Sequence, residues 1–297
     1  MIGARQLEIT PERFPYSGQW EITCRCNLRC VMCYTDCFNT PEKVRQELGT
    51  ADIKRIMDQL AEAGCLELAL TGGEPMARPD FFEIYEYAKK KGFLLVIFTN
   101  GTYIDEKAAD RFAALPPDRI EISLHGLSKE TFENVTKGKG SHEKCMRAIQ
   151  LLLERKLPIV LKSAIMTLNK QELVEIKKYA QSLGPTVAYK AGEAMRRDLN
   201  LSRHPFQFEL SDEEIDEIYV KDDELKRESC REFEEDNSPC RSGYLSFHID
   251  AYGMLQLCSG NRRKGYDLRT GSFKEGFYKH LPSFPCPLQV GAGGCKG

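Results

Sequence analysis

The chain has 297 residues, of which 41% are hydrophobic and 29% charged, with a formal net charge of −2. This is the profile of a globular protein long enough for one large and one small domain, with no charge excess that calls for nucleic acid or an anionic membrane surface. The longest apolar runs, such as Leu94–Phe98, are far too short to span a bilayer.

From Ser17 to about Tyr189, short apolar or β-branched runs alternate with amphipathic stretches. Gln19–Thr23 reads as a first strand that ends at a cysteine-rich loop. Thr50–Ala63 carries Ile53, Ile56, Met57 and Leu60 at helical spacing and stops at Gly64. Strand Leu66–Leu70, helix Asp80–Lys91, strand Leu94–Thr99 and helix Asp105–Ala114 follow. Next come strand Arg119–Leu124, helical pieces Ser128–Val135 and Ser141–Arg155, strand Ile159–Met166, helix Lys170–Leu183 and strand Thr186–Tyr189. Six strands alternating with helices predict right-handed βαβ units on a parallel sheet. Doubly wound and barrel folds both satisfy that pattern. The unusual residues all fall at the carboxyl ends of successive strands: the cysteines after the first, Thr71-Gly72-Gly73-Glu74-Pro75 after the second, Thr99-Asn100-Gly101 after the third and His125 after the fourth. That placement favours a (β/α) barrel, here with six units and one open side.

The cysteine loop contains Cys26-x3-Cys30-x2-Cys33-Tyr34. The first 20 residues carry charges and two prolines but no apolar h-region, so no secretory signal is predicted and the protein reads as cytoplasmic. Twelve cysteines in such a chain point to metal before disulfides. Three thiolates fall one short of a closed zinc site and one short of a cubane's irons. If they hold a 4Fe–4S cluster, one iron stays open for a small molecule. Zinc is the rival, with Cys24 and Cys37 as extra ligands; both are expected to be non-ligands.

The cysteine spacing followed by Tyr34, with the later motifs in order, resembles the radical S-adenosylmethionine (SAM) superfamily over about residues 17–190. The resemblance implies an α/β fold, a partial (β/α)6 TIM-like barrel, with SAM bound to the open iron. It implies that a reduced cluster cleaves SAM to a 5′-deoxyadenosyl radical that takes hydrogen from a substrate. Gly72, Gly73 and Glu74 match a G-G-E-P segment that holds the methionine part of SAM. Asn100 and Ser123 match positions near the ribose, and Tyr34 joins the cofactor-binding set. Lys137 and Lys162 are candidates for the SAM carboxylate, although exposed lysines are the commoner outcome. His125 stands where relatives place Asp, and a lone histidine is more often a hydrogen-bonded structural residue. No catalytic acid or base is assigned.

After Tyr189 the alternation stops, and three parts are expected: an N-terminal segment 1–16, the core barrel 17–190, and a third part, 191–297. The latter holds Arg196 and Arg197, read as an exposed basic turn, and a strongly acidic stretch at 209–236 read as a solvated helix. A hairpin is predicted around Asp250–Gly253. Gly253-x4-Cys258 resembles the SPASM and twitch extensions of radical SAM enzymes, a small α+β unit. The resemblance implies one auxiliary 4Fe–4S cluster on Cys240, Cys258, Cys286 and Cys295, because Ser283 and Ala292 replace the two further cysteines that a second cluster needs. Cys65 and Cys145 read as buried apolar residues, and Cys230 has no assigned role.

The function implied is a maturase acting on a ribosomally made peptide. Only 25 residues precede Cys26, so a separate leader-peptide-recognition protein is expected, with an electron donor such as flavodoxin or ferredoxin. Alternatives are a twitch-type oxidoreductase acting on a small molecule or cofactor precursor, and a non-catalytic Fe–S or zinc protein.

Overall fold

The structure is a computed structural model, and it describes residues 13–35, 39–193, 207–221, 242–262 and 264–284. Six parallel strands form the barrel wall: β1 (Ser17–Glu21), β2 (Glu67–Thr71), β3 (Leu94–Thr99), β4 (Arg119–Ser123), β5 (Ile159–Ile165) and β6 (Val187–Glu193). Between them run α1 (Pro41–Gln46), α2 (Thr50–Glu62), α3 (Phe81–Lys90), α4 (Glu106–Ala114), α5 (Lys129–Thr136), α6 (Ser141–Glu154) and α7 (Leu173–Ser182). The expected strands and helices are found within a few residues of their predicted ends. The short α1 went unpredicted; it begins at Pro41 behind the Thr40 cap, whose side chain accepts from the Lys43 N–H.

Successive strand residues face opposite sides. Trp20, Leu68, Leu70, Leu95, Ile97, Ile120, Ile122, Ile159 and Leu161 share one buried cluster with helix residues such as Ile53, Ile56, Leu60, Phe112, Ile149 and Ile176. The alternate residues, including Gln19, Glu21, Phe98, Glu121, Ser123 and Lys162, therefore line the concave face. This is why an apolar-looking strand such as β4 also carries a buried glutamate, Glu121.

The sheet order is β6-β5-β4-β3-β2-β1-β7-β8-β9, where β7 is Ser246–Ile249, β8 Met254–Gln256 and β9 Tyr266–Asp267. The predicted hairpin is β7–β8, antiparallel with His248 opposite Gln256. Its first strand lies parallel to β1, with Gly18 opposite Phe247 and Trp20 opposite Ile249. The C-terminal part thus extends the barrel sheet past β1. Phe247 packs on Phe273 with ring centroids 4.8 Å apart, and Phe273 stacks on Phe277 at 5.6 Å. From the acidic stretch, α8 (Asp212–Lys221) is described, with Ile218 buried and Lys170 paired to Glu214 at 2.5 Å. Among the described residues no helix is long and apolar enough to cross a membrane.

The β1–β7 seam depends on Gly18. A Cβ there would overlap the Phe247 ring, 3.1 Å from Cε1 and closer to Cζ, and that ring is fixed by Phe273 and Phe277. Gly18→Ala is expected to destabilise the chain by about 1–3 kcal/mol through overpacking, read as a lower urea midpoint with an unchanged slope.

Candidate metal centre

The cysteine loop leaves β1 through Ile22, and neighbouring backbone pins it on two sides. On one side the Thr23 carbonyl accepts the Gly73 N–H at 3.0 Å and the Arg25 carbonyl accepts the Glu74 N–H at 2.7 Å. A Cβ on Gly72 would overlap the Thr23 carbonyl oxygen; one on Gly73 would overlap the Arg25 carbonyl and lie 2.9 Å from Cys26 Cβ. On the other side the N–H groups of Arg29 and Val31 donate to the carbonyls of Thr136 and Val135 at 3.0 and 2.9 Å, in the last turn of α5. Lys137 ends that helix in the left-handed conformation, φ 53°, with its side chain exposed. A Cβ on Gly138 would overlap the Leu28 side chain. The start of α5 is fixed in turn by Glu172, which accepts from the Leu127 and Ser128 N–H groups at 2.6 and 3.0 Å.

Cys26 is buried, and Cys30 and Cys33 are half-buried. Asn39 clamps the Cys26 backbone, accepting its N–H at 3.0 Å and donating to its carbonyl at 2.6 Å. The Cys26 sulfur faces the Leu28 N–H at 3.4 Å and Asn100 Nδ2 at 3.8 Å. The Cys33 N–H bonds the Cys30 carbonyl at 3.0 Å, and the Cys33 sulfur lies 3.2 Å from Thr35 Oγ1. Among the described residues no three His, Cys, Asp or Glu side chains converge on one metal ion. The donors around Cys26, the Leu28 N–H and Asn100 Nδ2, and the Thr35 hydroxyl at Cys33 face sulfur, a donor set of the kind that suits thiolate ligands.

Sequence reasoning missed Glu47. Its side chain is 3% exposed and accepts from Thr23 Oγ1 at 2.6 Å, the Cys24 N–H at 2.7 Å and the Cys24 thiol at 3.1 Å, while Arg25 pairs with it at 3.0 Å. Burial, then Glu47, pushes the Cys24 thiol up to about 12, so it stays protonated and acts as a donor. Nothing local marks Glu47, which lies between two helices; its partners are 22 or more residues away, as the same bonds show.

The Glu74 carboxylate is fully buried and accepts from Thr99 Oγ1 at 2.8 Å, the Asn100 N–H at 2.7 Å and the Met76 N–H at 3.2 Å. Burial pushes it up to about 7 against the pull of those donors. It ties the loop after β2 to the loop after β3. The Asn100 side chain is fixed by Thr102, whose N–H and Oγ1 donate to Oδ1 at 2.9 and 2.6 Å, and by Asn27, which accepts from Nδ2 at 3.1 Å.

Deeper in the concavity, Ser123 pairs in register with Lys162. Lys162 bonds Glu121 at 2.9 Å and lies 4.3 Å from the centre of the Phe98 ring. Burial opposes charge on Glu121, but Lys162 and Arg119 outweigh it and hold the carboxyl low. His125 Nδ1 accepts the Ala164 N–H at 3.1 Å, and burial, then Lys162, pushes the ring down to about 4. The ring is neutral near pH 7. The Tyr34 hydroxyl accepts from Gln19 Nε2 at 3.0 Å, and its ring faces Arg262 at 5.3 Å. Arg262 grips both oxygens of Glu21, one at 2.9 Å. The sequence reading missed this Arg262–Glu21 pair as well. Cys65 and Cys145 are buried, as expected, and burial pushes both thiols up to about 12. Cys258 is half-buried in a turn closed by the Asn261 N–H at 3.2 Å. Cys37, Arg196, Arg197, Cys230, Cys240, Cys286, Ala292 and Cys295 lie outside the described residues.

The radical SAM superfamily model matches residues 20–183. The chain belongs to the radical SAM superfamily. Relatives include an AdoMet-dependent heme synthase of Methanosarcina barkeri, 33% identical over 57% of this chain and 48% of that protein. The PqqA peptide cyclase of Granulibacter bethesdensis is 32% identical over 56% and 44%, and the mycofactocin maturase MftC of Mycobacterium tuberculosis 33% over 58% and 44%. The chain thus spans less than half the length of these relatives. Among solved structures, Streptococcus suis SuiB bound to S-adenosylmethionine superposes with a TM-score of 0.74 at 15% identity, covering 95% of this chain and 73% of that one. Native anSMEcpe with bound AdoMet gives 0.68 at 17%, covering 88% and 80%. The expected partial-barrel fold is that of these proteins. The family implies a 4Fe–4S cluster and SAM binding.

Two outcomes test the site. Gly73→Ala displaces the Arg25 carbonyl and Cys26, so anaerobically reconstituted protein is expected to lose as much iron as the Cys26/Cys30/Cys33→Ala variant does while keeping its far-ultraviolet circular dichroism. His125 protonates near pH 6.5 when unfolded and near 4 when folded. Its contribution is whole above 6.5 and lost as pH falls towards 4. Glu74 acts with the opposite sign, so the difference isolates the histidine: His125→Asn is expected to lose less stability than the parent between pH 6.5 and 4, by up to about 3 kcal/mol in urea titrations.

Proposed function

We propose that the chain carries a 4Fe–4S cluster on Cys26, Cys30 and Cys33, binds SAM beside Gly72–Gly73, and modifies a ribosomally made peptide. The observation that carries the reading is a three-cysteine loop locked to a glycine pair at the carboxyl ends of neighbouring parallel strands. When bound, the cluster and SAM supply an electron and a hydrogen-abstracting 5′-deoxyadenosyl radical. The chain's own part is to bind, orient and exclude water. Gly73 and Gly72 keep the second loop at backbone distance from the first. Glu74 holds Asn100 above that junction, and Ser123 with Lys162 and Glu121 forms a polar floor beside Phe98. Tyr34 and Arg262 close the opposite wall. Lys137 and Lys162 remain the candidate cations for the SAM carboxylate, with Lys162 needing to leave Glu121 to serve.

A peptide substrate is supported by relatives named as a peptide cyclase and a maturase. A small-molecule or cofactor-precursor substrate is the second reading, supported by the equally similar heme synthase. Residues 17–190 act as the catalytic barrel, and residues 191–297 supply an auxiliary cluster on Cys240, Cys258, Cys286 and Cys295. An electron donor such as flavodoxin and a leader-peptide-recognition protein complete the system in the cytoplasm.

Anaerobic reconstitution followed by SAM and dithionite is expected to yield 5′-deoxyadenosine, and the Cys26/Cys30/Cys33→Ala variant none. About four irons per chain retained in that variant mark one auxiliary cluster. A SAM-inert protein with stoichiometric zinc contradicts the reading, and mass change in a co-encoded peptide rather than in a porphyrin decides the substrate class.

A further inference from the structure

Among the described residues, the Leu28 N–H and the Asn100 side chain face the Cys26 sulfur, and the Thr35 side chain lies against the Cys33 sulfur. Asn100 points Nδ2 at Cys26 sulfur, 3.8 Å away, a separation long for an oxygen acceptor but within reach of the larger, more diffuse sulfur. The orientation is imposed. Thr102 donates twice to the Asn100 oxygen, which leaves the amide nitrogen facing the loop, and Asn27 holds that nitrogen from the other side while donating to Thr102 at 2.8 Å. Below, the Asn100 backbone N–H is fixed by buried Glu74. At Cys33 the partner is Thr35 Oγ1 at 3.2 Å; once Cys33 is a thiolate the hydroxyl is the donor.

We infer that Asn100 and Thr35 set the reduction potential of the SAM cluster, raising it through hydrogen bonds to Cys26 and Cys33. The inference rests on the proposed function and deepens it. One-electron reduction of the cluster by an external donor such as dithionite or flavodoxin adds one negative charge, carried largely by sulfide and thiolate sulfur. Donors that face sulfur bind the reduced form more strongly than the oxidised one, and so shift the equilibrium towards reduction. Both residues act on the cluster through its ligands and are positioning residues. An Asn100 confined to shaping the SAM ribose pocket would leave the potential of SAM-free protein unchanged.

The test is an EPR-monitored redox titration of the full chain, reconstituted anaerobically and without SAM, with iron counted in each sample. Asn100→Asp keeps the oxygen that Thr102 binds but replaces the donor with a charged acceptor; Thr35→Val keeps the shape and removes the hydroxyl. Both variants are expected to titrate at lower potential with parental iron content. Asn100→Asp removes one charge-assisted hydrogen bond and adds a negative charge, both of which disfavour the reduced form. It should therefore shift the equilibrium about tenfold or more, which for one electron is about 59 mV. The neutral Thr35→Val reads the loss of a donor alone. Should Asn100→Asp fail to load iron, Thr35→Val decides. Unchanged or raised midpoints, or loss of iron in both variants, overturn the inference. Wild type with no redox-active cluster overturns the proposed function and this inference with it, a result distinct from a cluster whose potential ignores both residues.

Discussion

The site depends on one close approach: the backbone of Gly72–Gly73 against the backbone of Thr23–Cys26. Two inter-loop hydrogen bonds, donated by the Gly73 and Glu74 N–H groups, hold it, and neither glycine has room for a Cβ. A glycine pair after a strand is usually read as room for a ligand. Here the same residues make room for the neighbouring loop. Glu74 extends the arrangement to the third strand, and the end of α5 supports the loop from the far side. Hydrogen bonds thus run from the loop after β1 to the loop after β2, from Glu74 to the loop after β3, and from Arg29 and Val31 to the end of α5.

The C-terminal hairpin adds to these contacts. β7 adds to β1, and the turn between β7 and β8 reaches the segment that carries Glu47, with the Leu48 N–H on the Ala251 carbonyl at 3.0 Å. Arg262 then returns to Glu21 and Tyr34, the residue just after Cys33. Burial pushes the Glu21 carboxyl up, and Arg262 offsets this only in part. A buried ion pair of this kind is weak evidence for stability. It joins the turn that follows Cys258 to the loop that holds Cys33.

Much of this was legible in the sequence because the signals are local. Ile53, Ile56, Met57 and Leu60 lie at helical spacing, Leu94–Thr99 is a short apolar run before Asn100-Gly101, and Cys26, Cys30 and Cys33 are within eight residues of one another. The hairpin was legible for the same reason. Its docking on β1 was not, since Gly18 and Phe247 are over two hundred residues apart and neither carries a periodic signal of its own. Glu47 and Arg262 were missed likewise: a charged residue in a polar stretch reads as solvated until its distant partner is known. Glu74 shows the limit of motif reading, because its position was legible while its three donors, on β3 and on its own turn, were not.

The central claim is that the loop leaves one iron of its cluster open to SAM. It is tested most directly by the EPR spectrum of the reduced cluster, recorded with the proposed auxiliary ligands Cys240, Cys258, Cys286 and Cys295 replaced and compared before and after addition of SAM. The account predicts that SAM changes the g values and line shape, because the open iron gains new ligands. Superimposable spectra at saturating SAM would contradict it.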